Sequence, residues 1–142
     1  ETCLWWRVAR AAPQIEDFCR ANPGCVLYGE VFGQVQDLRY GSPNGVRFAA
    51  FDVSLGNGAF IHAPQASCMM DEHAVPRVPM LFYSVPYSFD FCGAAAEGDS
   101  IVSGADHVRE GCVVKPLTEM YSASVGRVIF KAVGGGYLLR KG

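Results

Sequence analysis

The chain has 142 residues, half of them apolar, with 18% charged residues and a formal net charge of −2. This composition excludes a disordered chain, which lacks apolar residues to bury, and a globally basic nucleic-acid binder, so any contact with a polyanion is confined to a local patch. The sequence contains no run of about 18 apolar residues, the length needed to cross a membrane as a helix. The length suffices for one domain and not for two. Because the sequence begins at Glu1 and not at Met, we expect a processed chain or a part of a longer one.

The first segment is predicted to be helical. Apolar residues such as Val8 and Phe18 recur at helical spacing over residues 4–21. Pro13 predicts the start of a second helix within this stretch, because proline is favoured in a first turn. The Asn-Pro-Gly turn at 22–24 predicts where that helix ends.

Two side-chain groups in this helical segment have alternative interpretations. Trp5 and Trp6 are predicted to anchor the first helix to the sheet, and the alternative is a platform on which nucleic-acid bases stack. Arg7, Arg10 and Arg20 form either a basic strip near a functional site or an ordinary solvated helix face.

After residue 24 the pattern changes to short apolar stretches separated by turns. The predicted strands are 25–33, 38–41, 46–55, 59–63, 111–116, 127–133 and 137–140. Residues 63–79 are rich in Pro and Met, residues 80–89 are apolar but interrupted by Pro86, and residues 93–109 are compatible with a short helix. Gly134–Gly136 is predicted to be a flexible connection between strands. Because the few helices do not alternate with strands, the pattern favours an antiparallel α+β fold over a doubly wound sheet.

Charged residues inside apolar strands are the main functional signal. They are Glu30, Asp52, Glu110, Lys115 and Lys131. A buried charge is costly unless it meets a partner, a metal or a ligand. Carboxylates suit Mg²⁺ and lysines suit phosphate oxygens, so the set predicts a pocket for a metal and a polyphosphate. The alternative for each acid is a strand-end residue that pairs with an arginine or faces solvent.

Glycines stand next to two of these acids. Gly29 precedes Glu30 and Gly111 follows Glu110. A glycine in a strand often marks a place where a ligand or another backbone approaches closely. We therefore expect both glycines to leave room for a ligand.

Four segments in this order resemble motifs of a known family. They are LYGEVFGQVQDLRYG (27–41), FAAFDV (48–53), REGCVVKP (109–116), and RVIFKAV (127–133) followed by YLLRK (137–141). The chain resembles the RNA ligase branch of the covalent nucleotidyltransferases, which includes DNA ligases and mRNA capping enzymes, and is most similar to the phage RNA ligase 2 type. The resemblance covers roughly residues 5–141. It implies one partial nucleotidyltransferase domain over residues 1–142, with an antiparallel-sheet α+β fold of the ATP-grasp-like ligase type.

The resemblance implies a nucleotide-binding set in the first half of the chain. Glu30 matches a glutamate that contacts the ribose, and Gln36 matches a glutamine of the same site. Phe51 matches the aromatic residue that stacks on adenine, and Asp52 is the acid beside it. If the strand is regular, Phe48 points to the opposite face and lies in the core.

The resemblance also implies a catalytic set in the second half. Glu110 matches a glutamate that supports metal-assisted attack on ATP and is a candidate metal ligand. Lys115 follows five positions later, and Lys131 matches the lysine that contacts phosphate. The implied cofactors are ATP and Mg²⁺ or Mn²⁺, and the implied partners are RNA ends carrying a 5′-phosphate and a 3′-hydroxyl.

The sequence departs from the family in its lysines. Only Lys115, Lys131 and Lys141 are present, and none stands in the KxDG motif whose lysine carries AMP. Lys131 begins a KxxG, but it follows the fourth motif and is assigned to the fifth, where Val133 stands at a position that is lysine in many relatives. We therefore expect an inactive fragment of an ATP-dependent RNA ligase whose parent acts through lysyl-AMP and AMP-RNA. The alternatives are a non-catalytic module that binds nucleotides or RNA ends, and a DNA ligase or capping enzyme.

The remaining candidates are cysteines and histidines. The six cysteines have no CxxC spacing and are predicted to be reduced structural thiols, as in a cytoplasmic protein. Cys19, Cys25 and Cys112 stand among apolar residues and are expected to be buried. The three histidines, His62, His73 and His107, are scattered and predict no metal site.

Overall fold

The computed structural model describes residues 3–33, 38, 40–41 and 45–140, and these form two compact units, Glu1–Val78 and Pro79–Gly142. Helices and antiparallel strand pairs are not interleaved as βαβ repeats, which confirms the predicted α+β class. None of the helices within the described ranges is both long enough and apolar enough to cross a membrane.

The first unit begins with two helices, as the sequence predicts. They are α1 (Leu4–Ala11) and α2 (Pro13–Ala21). Pro13 lies in the first turn of α2, where its missing N–H costs no hydrogen bond. Each helix buries one large apolar residue, Val8 in α1 and Phe18 in α2. The side chain of Asn22 donates to the carbonyl of Phe18 at 2.9 Å and so satisfies a carbonyl at the end of α2.

Two strands form the sheet of the first unit. They are β1 (Val26–Gly33) and β2 (Val46–Ser54), paired antiparallel. Leu27 pairs with Val53, and Val31 pairs with Phe48. Val53 belongs to the hydrophobic core, and Leu27 and Phe48 pack against it. Val31 is buried outside this core cluster. Residues 38, 40 and 41, predicted as a strand, lie outside the strands.

A helix that the sequence interpretation missed completes the core of this unit. It is α3 (Ala63–Glu72), with a proline in its first turn. Its buried residues, Ala66 and Met70, pack with Phe18 and Val53. The strand predicted over 59–63 is reduced to a single bridge between Phe60 and Ser54, because the chain turns into α3 immediately afterwards.

The second unit contains two short strand pairs and two helices. The helix α4 (Phe89–Ala96) is capped by Ser88, whose hydroxyl accepts the N–H of Phe91 at 3.3 Å. The strand β3 (Gly111–Val114) pairs with β6 (Phe130–Val133), and β4 (Tyr121–Ser122) pairs with β5 (Gly126–Arg127). The predicted strand 127–133 is thus divided between two sheets.

The end of the second unit corrects a prediction. Residues predicted as a flexible glycine connection and a strand form the helix α5 (Gly135–Arg140). The carboxylate of Glu97 accepts the backbone N–H groups of Gly135 at 2.6 Å and Gly136 at 3.3 Å. Because a carboxylate is favourable at a helix N-terminus, this distant contact stabilises a short helix that the local sequence does not indicate.

Candidate functional site

The sheet of the first unit places three of the predicted nucleotide-binding residues on one face. Directly opposed residues of an antiparallel pair point to the same side of the sheet. Tyr28 pairs with Asp52 and Gly29 pairs with Ala50, so Phe51 is an extra residue in a β-bulge. In such a bulge two residues of one strand oppose one residue of the other. Phe51 and Asp52 therefore share the face of Tyr28 and Glu30.

The opposite face of the sheet is the one that contacts the core. Phe48 packs against the core cluster, whereas Phe51 is 41% exposed. The prediction that these two phenylalanines lie on opposite faces is therefore confirmed. We call the surface formed by Tyr28, Glu30, Phe51 and Asp52 the outer sheet face.

The burial of the outer sheet face differs from the prediction. Asp52 is 2% exposed and is a buried carboxylate, whereas Glu30 is exposed. An antiparallel sheet can face water on the side away from the core, so a charge between apolar neighbours, such as Glu30, can still be exposed. Gln36, the fourth predicted member of this set, lies outside the described residues.

Gly29 has a different role from the predicted one. A Cβ built on this glycine would lie 2.2 Å from Cζ of Phe48. The space beside Gly29 is therefore filled by the ring of Phe48 on the core side and is not left open for a ligand. The glycine allows Phe48 to pack against the core.

In the second unit, two of the three predicted catalytic residues are in contact. Lys131 lies on β6 and donates through Nζ to Oε1 of Glu110, which directly precedes β3. The Gly134 N–H donates to the carbonyl of Glu110 at 2.9 Å and extends the β3–β6 pairing past Gly111. Both side chains are partly accessible, 55% for Lys131 and 38% for Glu110, so the predicted burial of this pair is wrong.

Lys115, the third member of the catalytic set, directly follows β3 and is half-buried. No group of three or more His, Cys, Asp or Glu side chains in the described ranges could hold a metal ion. Glu110 is therefore a single carboxylate, and a metal bound there would need further oxygen ligands.

Gly111 also serves strand pairing and not ligand access. A Cβ built on Gly111 would lie 2.0 Å from the carbonyl oxygen of Ala132 on the paired strand. The close approach of β3 and β6 at this point, which carries Glu110 towards Lys131, therefore requires a glycine.

We expect the Gly111→Ala substitution to lower the free energy of unfolding by about 1–3 kcal/mol, because backbone atoms on the facing strand must move. Urea denaturation followed by circular dichroism measures this loss. The matched control is Gly93→Ala in α4, where an added Cβ meets nothing within 4 Å and we expect equal or greater stability. Equal denaturation midpoints for the two variants would contradict this role of Gly111.

The six cysteines are free, as predicted, but Cys3, Cys19 and Cys68 are exposed, so the expected burial of Cys19 is wrong. Burial raises the pKa of the Cys112 thiol, and the neighbouring thiol of Cys92 raises it further against a smaller opposing effect of Arg109. Cys112 is thus a neutral thiol at pH 7 and a poor nucleophile.

An aromatic and cationic cluster next to the outer sheet face was missed. Phe32 pairs with Arg47 across the strands, and the Arg47 guanidinium lies 4.7 Å from the centre of the Phe32 ring. Arg47 also donates to the carbonyl of Tyr40 at 2.9 Å, and the rings of Phe32 and Tyr40 meet edge to face at 5.2 Å. Arg47, Ala49 and Phe51 are spaced two residues apart along β2. This alternation could have predicted that Arg47 lies on the same face as Phe51.

Comparison with known proteins identifies the family that these motifs suggest. The RNA ligase family model matches residues 2–133, so the chain belongs to the RNA ligase family. Among curated proteins the sequence finds no match.

Solved structures of one enzyme have the same fold. They include mutants of the RNA ligase of Naegleria gruberi with ATP and Mn and with AMP and Mn, and the RNA ligase with PPi. In each case the TM-score is 0.75 at 25% identity over 95% of this chain. The match spans 40% of each Naegleria chain, so this chain covers less than half of the length of those proteins.

Proposed function

We propose that this chain is the nucleotide-binding part of an ATP-dependent RNA ligase that joins 5′-phosphate and 3′-hydroxyl RNA ends. The observation that carries the proposal is the bulge in β2, which puts Phe51 and Asp52 on the same sheet face as Glu30. Membership of the RNA ligase family and the likeness to a ligase solved with ATP and Mn support it.

The outer sheet face offers groups suited to an adenosine. Phe51 is exposed enough to present its ring to a base, and stacking of a base on an aromatic side chain contributes about 1–3 kcal/mol. The Glu30 carboxylate is an acceptor for ribose hydroxyl donors. Asp52, which is buried beside Phe51, would hold its strand and the neighbouring ring in place.

The second unit offers groups suited to phosphates. Lys131 and Lys115 would neutralise charge on the phosphoryl oxygens during transfer. Mg²⁺ or Mn²⁺ would be held by Glu110 together with nucleotide phosphates and water, since Mg²⁺ commonly takes one or two carboxylates and completes its coordination in this way. Such an ion supplies charge neutralisation at the reacting phosphate.

The covalent step requires a lysine that we propose to lie outside this sequence. Lys115, Lys131 and Lys141 do not stand in a KxDG motif. In the proposed reaction, that lysine's amine forms a bond to the α-phosphorus of ATP and pyrophosphate leaves. AMP is then transferred to the RNA 5′-phosphate, and the 3′-hydroxyl displaces AMP to form the new phosphodiester. Splitting one difficult displacement into several easier ones is the usual advantage of covalent catalysis.

Binding of ATP to the 142-residue chain tests the outer sheet face. We expect Phe51→Ala to weaken ATP binding about 5-fold to 150-fold in isothermal titration calorimetry with Mn²⁺, which corresponds to the loss of one stacking contact. Phe51→Tyr retains the ring and should bind nearly as well as the unmodified chain.

The control for Phe51→Ala is Phe89→Ala, which removes a phenylalanine that is 81% exposed in the second unit. This variant should bind ATP normally. ATP binding that is equal in Phe51→Ala and in the unmodified chain would contradict the assignment of Phe51.

The second candidate function is a non-catalytic module that binds nucleotides or RNA ends. Such a module would use the outer sheet face and would need no KxDG lysine. Incubating the full-length protein with ATP labelled at the α-phosphate separates the two functions. Label retained on the denatured protein supports the ligase, and ATP binding without covalent label supports the module.

A further inference from the structure

The exposure of α1 differs from the sequence-based prediction. Trp5 and Trp6 were expected to anchor the helix to the sheet, but they are 59% and 64% exposed. Val8, which is 3% exposed, is the residue through which α1 is buried. Two adjacent indoles therefore stand on the solvent side of a helix that is held in place without them.

One indole adjoins an arginine on the exposed side of α1. Trp6 and Arg10 are four positions apart, and Arg7 and Arg10 are three apart, which makes each pair neighbours on a helix. All four side chains are exposed. We call the surface formed by Trp5, Trp6, Arg7 and Arg10 the α1 surface.

The α1 surface is positively charged although the chain as a whole is not. The helix α1 carries two arginines and no acidic residue, whereas the whole chain has a net charge of −2. Within the described ranges neither Arg7 nor Arg10 forms an ion pair. Arg20 on α2 provides the contrast, because its guanidinium binds the Glu16 carboxylate at 2.6 Å.

The α1 surface adjoins the strand that carries Phe51. A Cβ built on Gly45, directly before β2, would lie 3.1 Å from Nη2 of Arg7. The helix also contacts β2. A ligand bound along α1 would therefore lie close to the strand that carries the outer sheet face.

We propose that the α1 surface binds single-stranded RNA, and this inference rests on the proposed function as an RNA ligase. Unpaired bases can stack on Trp5 and Trp6, and the phosphates between them can contact Arg7 and Arg10. Aromatic rings next to cationic groups are the arrangement that binds single strands with little dependence on base identity. In a duplex the bases are already stacked on each other, so their faces are not open to an indole. A protein partner would satisfy the indoles but would need acidic groups for both arginines, whereas every nucleotide of RNA brings its own anion.

Trp5 and Trp6 make the test direct because they are the only two tryptophans in the chain. Their fluorescence therefore reports on the α1 surface alone. We expect a single-stranded oligouridylate to quench this fluorescence in a saturable way that weakens with added salt. Absence of quenching, or equal quenching by a duplex RNA of the same length, would overturn the proposal.

Variants separate the contributions of charge and stacking. Binding of fluorescein-labelled oligouridylate is measured by anisotropy. We expect about 5-fold to 100-fold weaker binding for Trp6→Leu. The salt dependence is measured as the slope of log K against the logarithm of the salt concentration. For the double variant R7Q/R10Q we expect the magnitude of this slope to fall by about 1.4, since each phosphate contact in a single strand contributes about 0.7.

The matched control is Arg20→Gln, which removes one charge from the neighbouring helix and should leave RNA affinity and the salt slope nearly unchanged. Equal losses in Arg20→Gln and in a single Arg10→Gln variant would show a general charge effect and overturn the assignment to α1. ATP binding by the same protein distinguishes the two proposals. Normal ATP binding without RNA quenching refutes only the α1 surface, and RNA quenching without ATP binding refutes only the nucleotide site.

Discussion

Replacing Phe18 with alanine is expected to lower the free energy of unfolding of the first unit by about 3–5 kcal/mol, the usual cost of deleting a buried aromatic ring. Phe18 has no exposed surface and belongs to the core cluster with Val53 and Met70. Its ring also meets the His73 ring edge to face at 5.7 Å. The loss would leave a cavity between α2, the core side of the sheet and α3. Since single domains have only about 5–15 kcal/mol of stability, this loss is a large part of the total, and the variant should unfold at a clearly lower urea concentration.

Urea denaturation followed by circular dichroism measures this loss, because the helices α1, α2 and α3 of the first unit contribute to the signal. The control is Phe51→Ala, which deletes the same ring from the outer sheet face, where it is 41% exposed. We expect a much smaller loss for this control, since less apolar surface returns to water. Similar denaturation midpoints for the two variants would contradict the assignment of the core to one side of the sheet.

Replacing Lys131 with alanine in the full-length protein is expected to lower the rate of adenylylation about 10²-fold to 10³-fold, the usual effect of removing one group that stabilises transition-state charge. The substitution removes a cation expected at the phosphates. It also releases the Glu110 carboxylate that Lys131 binds. We expect Glu110→Ala to reduce adenylylation similarly, because the two side chains form one ion pair.

The measurement is transfer of α-phosphate label from ATP to protein in a single turnover. The control is Arg20→Gln, which removes an exposed cation that pairs with Glu16, and it should react at the normal rate. Stability of Lys131→Ala should be close to that of the unmodified protein, because exposed ion pairs contribute little. Normal label transfer in both Lys131→Ala and Glu110→Ala would refute the assignment of these residues.

The sequence predicted those parts of the fold that depend on interactions between residues close together in the chain. The two N-terminal helices follow from helical spacing, from Pro13 in a first turn and from the turn after Asn22. The opposite faces of Phe48 and Phe51 follow from the alternation of a strand. The β-bulge was not predictable, because it depends on which residue of β1 meets which residue of β2.

Features that depend on contacts distant in sequence were predicted wrongly. The helix α5 begins where Glu97, 38 positions away, accepts the N–H of Gly135. Gly29 and Gly111 stand next to acids, but the space beside each is used by Phe48 and by the backbone of Ala132. A glycine in a strand indicates a close approach of other atoms. It does not indicate whether those atoms belong to a ligand, a side chain or the backbone of a neighbouring strand.

The environments of the candidate site residues could not be predicted from the sequence. Five charged residues stand in or beside apolar strand segments, but only Asp52 is buried. Short two-stranded sheets expose one face, so an apolar neighbour in sequence does not imply an apolar neighbour in space. The exposed indoles of α1 could not be distinguished from a core anchor either, because spacing does not show which side of the helix packs against the sheet.

We propose that this sequence belongs to an enzyme that seals RNA with ATP, and one reaction tests this proposal. The most direct measurement incubates the full-length protein with ATP labelled at the α-phosphate, Mn²⁺ and an RNA carrying one 5′-phosphate and one 3′-hydroxyl at a break. We predict label first on the protein, then on the RNA 5′ end as AMP-RNA, and finally released as AMP when the strand is sealed. A protein that acquires no label and leaves the RNA ends unjoined would contradict the claim.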